Sequence, residues 1–113
     1  MTAKIEIEDK QNYTLLKLIG DFNSSVENES LLKSFKEIAK SHPKNVLIDL
    51  TKVVYLNSGS IGTLLSGNAL IKKNDGKVVI FGASDYIKNI FDITKLNLAL
   101  EIYDSEEDAL KAL

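Results

Sequence analysis

Two uninterrupted apolar runs constrain the fold of this chain more than any other feature. The first is "VLI" at residues 46–48, and the second is "VVIF" at residues 78–81. A strand with one face in water alternates apolar and polar residues, whereas a strand covered on both faces is apolar throughout. Both runs are therefore predicted to be central strands of a sheet that carries helices on its faces.

The segments around these runs predict an α/β fold. "AKIEIEDK" alternates in polarity, and a short turn joins it to "YTLLKLIG", so the two are predicted to pair as an antiparallel hairpin ending at Gly20. The predicted order is this hairpin, then α, β, α, β, α, β and α. Crossover connections make the later strands parallel. We expect a single domain over residues 1–113, with a mixed, mostly parallel sheet of about five strands and about four helices.

The spacing of apolar residues also predicts the core. Predicted core positions of the first helix are Val26, Leu31, Leu32, Phe35, Ile38 and Ala39, and those of the second are Ile61, Leu64, Leu65, Ala69 and Leu70. Further aromatic residues assigned to the core are Tyr13, Tyr55, Tyr86 and Phe91. The closing "SEEDALKAL" is predicted to be an amphipathic helix packed on the sheet.

Composition excludes several classes of function. The formal net charge is −2, and the lysines are scattered among acids, which argues against nucleic acid as a partner. Cysteine is absent, and the one histidine, His42, stands beside Pro43 in a predicted loop, so neither a metal site nor a cofactor is expected. Without an 18-residue apolar run or a signal peptide, we expect a cytoplasmic protein with no membrane insertion.

Small and polar residues separate the strand that contains the first apolar run from the second helix. We call residues 57–63, "NSGSIGT", the corner. The corner does not match the nucleophile elbow G-x-S-x-G around Ser60, because the first glycine of that motif is replaced by Ser58. No histidine base is linked to the site either. A phosphate-binding loop fails because no lysine follows Gly62. An enzyme active site is therefore not expected.

Two interpretations of the corner stay open from the residues alone. In one, Ser58 caps the helix, while Gly59 and Gly62 permit close packing. In the other, a hydroxyl at the corner accepts a phosphate, which the amides at the helix N-terminus would stabilise. The amides expected to be open are those at positions 60–62.

Three segments of the chain resemble the STAS domain family, the anti-sigma factor antagonists. "VLIDLTKVVYLNSGSIGTLL" resembles the signature that ends D-L-S-x-[VL]-x-[YF]-[ML]-D-S-S-G-[LI]-G-x-L. "LIGDFN" resembles the G-E-L-D that follows the second strand of the family, and residues 76–110 resemble its second half. Because these motifs occur in the right order, the resemblance covers almost the whole chain.

The resemblance implies a regulatory binding module and not an enzyme. Its expected partner is an anti-sigma factor that is also a serine protein kinase of the GHKL ATPase type, so that binding frees a sigma factor. In the family that the chain resembles, the kinase phosphorylates the serine before G-[LI]-G, and a PP2C-type phosphatase is the enzyme expected to reset it. The partner-binding residues implied for this chain are Asp21, Phe22, Asn23, Asn57, Ser58, Gly59, Ser60, Ile61, Gly62 and Thr63.

This chain departs from the family pattern at the switch itself. Gly59 stands where the phosphorylated serine is expected, and amides replace the expected acids at Asn57 and Asn23. Ser58 and Ser60 are the remaining candidates for phosphorylation, and Ser58 is preferred because it is predicted to precede the helix. The alternative is a non-phosphorylated STAS scaffold subunit of a stress-signalling or lipid-transport complex.

Overall fold

The computed structural model describes residues 3–41 and 45–113, so the loop prediction for His42 lies outside the described residues. The strands are β1 (Lys4–Asp9), β2 (Thr14–Phe22), β3 (Val46–Leu56), β4 (Val78–Phe81) and β5 (Glu101–Tyr103). The helices are α1 (Ser25–Ala39), α2 (Ser58–Lys73), α3 (Asp85–Thr94), α4 (Leu96–Ala99) and α5 (Glu106–Lys111).

The strands form one five-stranded sheet in the order β1-β2-β3-β4-β5. β1 pairs antiparallel with β2, and the other neighbours are parallel. The predicted α/β fold, its hairpin and its mostly parallel sheet are confirmed. The prediction that the hairpin ends at Gly20 is wrong, because β2 continues through a register shift to Phe22.

The described residues contain one helix more than the four predicted. The extra helix, α4, begins in the segment expected to lead into the last strand. Lys95 adopts a left-handed conformation with φ of 65°, which ends α3 and redirects the chain. The next residue, Leu96, is then buried in a single helical turn, and β5 starts only at Glu101.

Both faces of the central strands are covered, as the apolar runs predict. Val46 and Ile48 belong to the larger core cluster, which includes residues of α1, α2, α3 and α4. Leu47 points the other way and packs with Ala109 of α5 in a smaller cluster. The prediction that the closing helix packs on the sheet is therefore confirmed.

Helices α1 and α2 pack closely on the same face of the sheet. A Cβ atom on Gly67 of α2 would lie 2.4 Å from Cδ2 of Phe35, which is fully buried on α1. Any larger residue at position 67 would therefore force the two helices apart. This close packing brings the first turns of both helices together at one end of the sheet.

Several residues assigned to the core are exposed instead. Val26 is 70% exposed because it precedes the part of α1 that packs on the sheet, and on α2 Leu65 and Ala69 face outward. The buried face of α2 carries Gly67 and Asn68 in their place. Apolar identity alone therefore misplaced the buried face of this helix by part of a turn.

Tyr55 and Tyr86 were also wrongly assigned to the core, since 36% and 54% of their surfaces are exposed. The reason lies in the sheet, because β4 ends at Phe81, which pairs with Asp49 of β3. Beyond Asp49, β3 continues beside β2 alone. The side chain of Tyr55 then stacks on Tyr86 of α3, with ring centroids 6.4 Å apart.

Candidate partner-binding site

The corner begins with an asparagine that caps α2. Asn57 has extended backbone angles, and its side-chain Oδ1 accepts a hydrogen bond of 2.8 Å from the amide of Ser60. Its carbonyl oxygen accepts from the amide of Ile61 at 3.1 Å. The interpretation of Ser58 as the cap is therefore wrong. An asparagine occupies that position because its short side chain reaches the third amide of the helix.

The cap moves the open amides of the helix to earlier positions than predicted. Ser60 and Ile61 both donate to Asn57, so their amides are not available to a ligand. The amides that a helix starting at Ser58 leaves without an intrahelical acceptor are those of Ser58 and Gly59. The sequence predicted that Ser58 precedes the helix, but Ser58 is its first residue.

Ser60, one of the two phosphorylation candidates, is fully buried. Its Oγ lies 2.7 Å from Asn28 Oδ1, 2.9 Å from the carbonyl oxygen of Phe22 and 3.0 Å from Asn57 Oδ1. A hydroxyl has one proton, so it donates to one of these acceptors at a time, and the shortest contact is with Asn28. A kinase could reach this hydroxyl only if the start of α2 unfolded. The side chain of Ser58, in contrast, is exposed.

Asn28 is the residue of the site that sequence reasoning missed. It lies in the first turns of α1, and its Nδ2 donates a hydrogen bond of 3.0 Å to Asn57 Oδ1. With Ser60 it ties α1 to the start of α2. Nothing local in the sequence indicates this role, because Asn28 and Asn57 are 29 residues apart.

The same side chain explains why position 59 is a glycine. A Cβ atom on Gly59 would lie 2.5 Å from Asn28 Nδ2 and 3.2 Å from Asn57 Oδ1. A Cβ atom on Gly62, in contrast, would meet nothing within 4 Å. Of these two exposed glycines, only Gly59 is required by its surroundings.

The structure brings the predicted partner-binding residues to one end of the sheet but exposes only some of them. Exposed residues are Asn23, Ser58, Gly59 and Gly62, and half-buried ones are Asp21, Asn57 and Thr63. Phe22, Ser60 and Ile61 are buried, so their side chains support the corner from below. Thr63 donates its hydroxyl to the carbonyl oxygen of Gly59 at 2.9 Å. The exposed part of the corner is thus small, polar and uncharged.

The corner adjoins an exposed apolar surface, which the sequence did not predict. Val54 is 56% exposed, and the next residue in the chain, Tyr55, stacks its ring on the exposed ring of Tyr86. Tyr55 also pairs in register with Asp21 of β2, one of the predicted partner-binding residues. An exposed aromatic pair next to a polar corner has the composition of a protein-binding surface.

Two further properties of the described residues bear on function. Among residues 3–41 and 45–113, no group of three or more His, Cys, Asp or Glu side chains is arranged to hold a metal ion. No helix in this part of the chain is long and apolar enough to cross a membrane.

Comparison with known proteins identifies the family of this chain. A profile described as "STAS domain" matches residues 4–109. The chain belongs to the STAS domain family. Over its full length this STAS domain is 20% identical to an anti-sigma F factor antagonist of Paenibacillus polymyxa, of which it covers 97%. Over 59 residues, 52% of each chain, it is 34% identical to an anti-sigma-B factor antagonist of Listeria monocytogenes.

A solved structure has the same fold. The crystal structure of a putative anti-sigma factor antagonist from Thermotoga maritima superposes with a TM-score of 0.86 at 16% identity, over 96% of this STAS domain and 92% of that chain. The profile match confirms the family assignment made from the sequence motifs, and the structural likeness agrees with the arrangement of helices and sheet that presents the corner.

Proposed function

We propose that this STAS domain is a non-enzymatic binding module that antagonises an anti-sigma factor, and that it docks through the corner and the neighbouring loop at Asn23. The observation that carries the proposal is the exposed, uncharged surface formed by Asn23, Ser58, Gly59 and Gly62 at one end of the sheet. The anti-sigma factor antagonists among its relatives support the proposed class of partner.

The expected partner is an anti-sigma factor with serine kinase activity of the GHKL ATPase type. We propose that such a kinase does not switch this protein at position 59, because Gly59 has no hydroxyl. Ser60 is buried, so Ser58 is the one accessible serine of the two candidates. A phosphate on Ser58 would sit at the first residue of α2, where the helix dipole stabilises negative charge. A PP2C-type phosphatase is required only if Ser58 is phosphorylated.

Binding is tested by co-purification from cells of the native organism with a tagged chain and its Gly62→Arg variant. The added side chain projects from an exposed position with open space, so the fold should tolerate it while docking is blocked. The matched control is Ala69→Arg, at an exposed position about 10 Å further along the same helix. Capture of a GHKL-type anti-sigma factor by the parent and by Ala69→Arg, but not by Gly62→Arg, supports the proposal. Equal capture by all three contradicts docking at the corner.

Phosphorylation is tested by intact-mass measurement after incubation with the captured kinase and ATP. A shift of one phosphate in the parent that is lost in Ser58→Ala but kept in Ser66→Ala would assign the site to Ser58. Ser66 is a suitable control because it is exposed on the same helix, away from the corner. An unshifted parent would show that the phosphoswitch is absent.

The alternative is a non-phosphorylated STAS scaffold in a stress-signalling or lipid-transport complex. The missing hydroxyl at Gly59 favours it, because a scaffold has no need of a switch. Capture of a scaffold or transporter component in place of a kinase would support this function over the first.

A further inference from the structure

We infer that Asn28 and a side chain at position 59 exclude each other, so that Asn28 occupies the space of the switch residue and keeps position 59 uncharged. The regulatory part of this inference rests on the proposed function, because it concerns the surface that is proposed to bind the partner. The exclusion itself follows from the geometry of the isolated chain.

The first step concerns space. A Cβ atom on Gly59 would lie 2.5 Å from Asn28 Nδ2, a separation that real Cβ atoms essentially never show. The backbone offers no other obstacle, since Gly59 lies within α2 and its φ is outside the left-handed region. Asn57 Oδ1, at 3.2 Å, is a second and looser contact, so the amide of Asn28 is the main obstacle to a side chain at position 59.

The second step concerns what moving Asn28 would cost. Its Nδ2 donates to Asn57 Oδ1, and its Oδ1 is the nearest acceptor for the buried hydroxyl of Ser60. A rotation that made room at position 59 would break both hydrogen bonds. Asn57 would keep the amide of Ser60 as a donor, but the link between α1 and α2 would be lost.

The third step concerns the state of the corner. Asn28, Asn57 and Ser60 are all uncharged at physiological pH, and the first turn of α2 contains no acidic residue. A serine at position 59 would add a hydroxyl that can gain about −1.5 to −2 charges on phosphorylation. With Asn28 in its present position, residue 59 has neither a hydroxyl nor the room for one, so position 59 cannot gain this charge.

A double-mutant cycle between positions 28 and 59 tests the exclusion. In the parent, Gly59→Ala should lower the melting temperature by about 4 °C, because the added methyl displaces Asn28 from two hydrogen bonds. In an Asn28→Ala background the same change should raise the melting temperature by a few degrees, because alanine is the better helix former where space allows. The sign of the effect should therefore reverse.

Gly62→Ala is the matched control, since position 62 is on the same helix and has open space. It should raise the melting temperature equally in both backgrounds. A second measurement follows the side-chain amide protons of Asn28 by NMR: their slow hydrogen exchange in the parent should be lost in Gly59→Ala and kept in Gly62→Ala. If Gly59→Ala stabilises both backgrounds alike and leaves these protons protected, the inference is overturned. The cycle uses no partner, so its outcome is independent of whether the chain binds an anti-sigma factor.

Discussion

Ser60 of α2 and Asn28 of α1 are joined by a hydrogen bond of 2.7 Å, although they are 32 residues apart in the chain. Ser60 is completely buried, and the bond spans the contact between α1 and α2, the helix that begins at the corner. The proposed binding surface therefore depends on a polar contact beneath it as well as on the residues that a partner would touch.

We expect Ser60→Ala to lower the free energy of unfolding by about 1–3 kcal/mol, because it removes a buried donor and leaves Asn28 Oδ1 with one partner fewer. Denaturant unfolding measures this change. Ser58→Ala is the control, since that serine is exposed, and it should change stability by less than about 0.5 kcal/mol. Equal effects of the two substitutions would contradict the buried network.

Asn57→Ala should lower the free energy of unfolding by about 1–2 kcal/mol, because the amide of Ser60 loses its capping acceptor. Asn57→Asp should retain most of the stability at pH 7. Its carboxylate can accept the same hydrogen bonds and places negative charge at the helix N-terminus. Thermal unfolding of the two variants provides the comparison. A loss as large in Asn57→Asp as in Asn57→Ala would show that capping is not the role of this side chain.

Tyr86 and Phe91 lie on the same helix but should respond very differently to truncation. Phe91 is 1% exposed, so Phe91→Ala should cost about 3–5 kcal/mol of stability. Tyr86 is 54% exposed and stacks on Tyr55, so Tyr86→Ala should cost about 0.5–1.5 kcal/mol. Urea unfolding of both variants checks this prediction, and a cost for Tyr86→Ala that matched Phe91→Ala would place Tyr86 in the core after all.

Glu101 at the start of β5 should make a small, pH-dependent contribution to stability. The hydroxyl of Tyr103, 2.6 Å from Oε1, and then Lys77, 3.1 Å from Oε2, hold the pKa of Glu101 below its ordinary value of 4.5, although partial burial acts in the opposite direction. Because the folded pKa is lowered, the stabilisation is present above 4.5 and is lost as the pH falls through the folded pKa.

The parent should therefore be more stable than Glu101→Gln at pH 7, by less than about 1 kcal/mol because the carboxylate is exposed, and this difference should vanish in acid. NMR titration gives the pKa directly. Tyr103→Phe, which removes only the hydroxyl, should bring the pKa of Glu101 back toward its ordinary value. An unchanged pKa in that variant would contradict the assigned cause.

The sequence predicts the order of elements well because the relevant information is local. The unbroken run at 46–48 and the alternation in "AKIEIEDK" each reflect how many faces of a strand are covered, and the structure confirms both the sheet and the hairpin. The errors occur where the burial of a residue depends on elements that are distant in the sequence. Tyr55 has the character of a core residue, but β4 stops at Phe81 and leaves that part of β3 uncovered.

Some features of the corner likewise follow from the sequence, and others only from the tertiary structure. Its sequence alone determined that a strand passes into a helix through small and polar residues, and that the expected switch position is Gly59, since both are properties of consecutive residues. Only the tertiary structure decided which serine is accessible and why position 59 has no side chain. Those answers depend on Asn28, which reaches the corner because α1 packs closely on α2 where Phe35 meets Gly67. Contacts between residues so far apart in the chain leave no periodicity for a sequence to show.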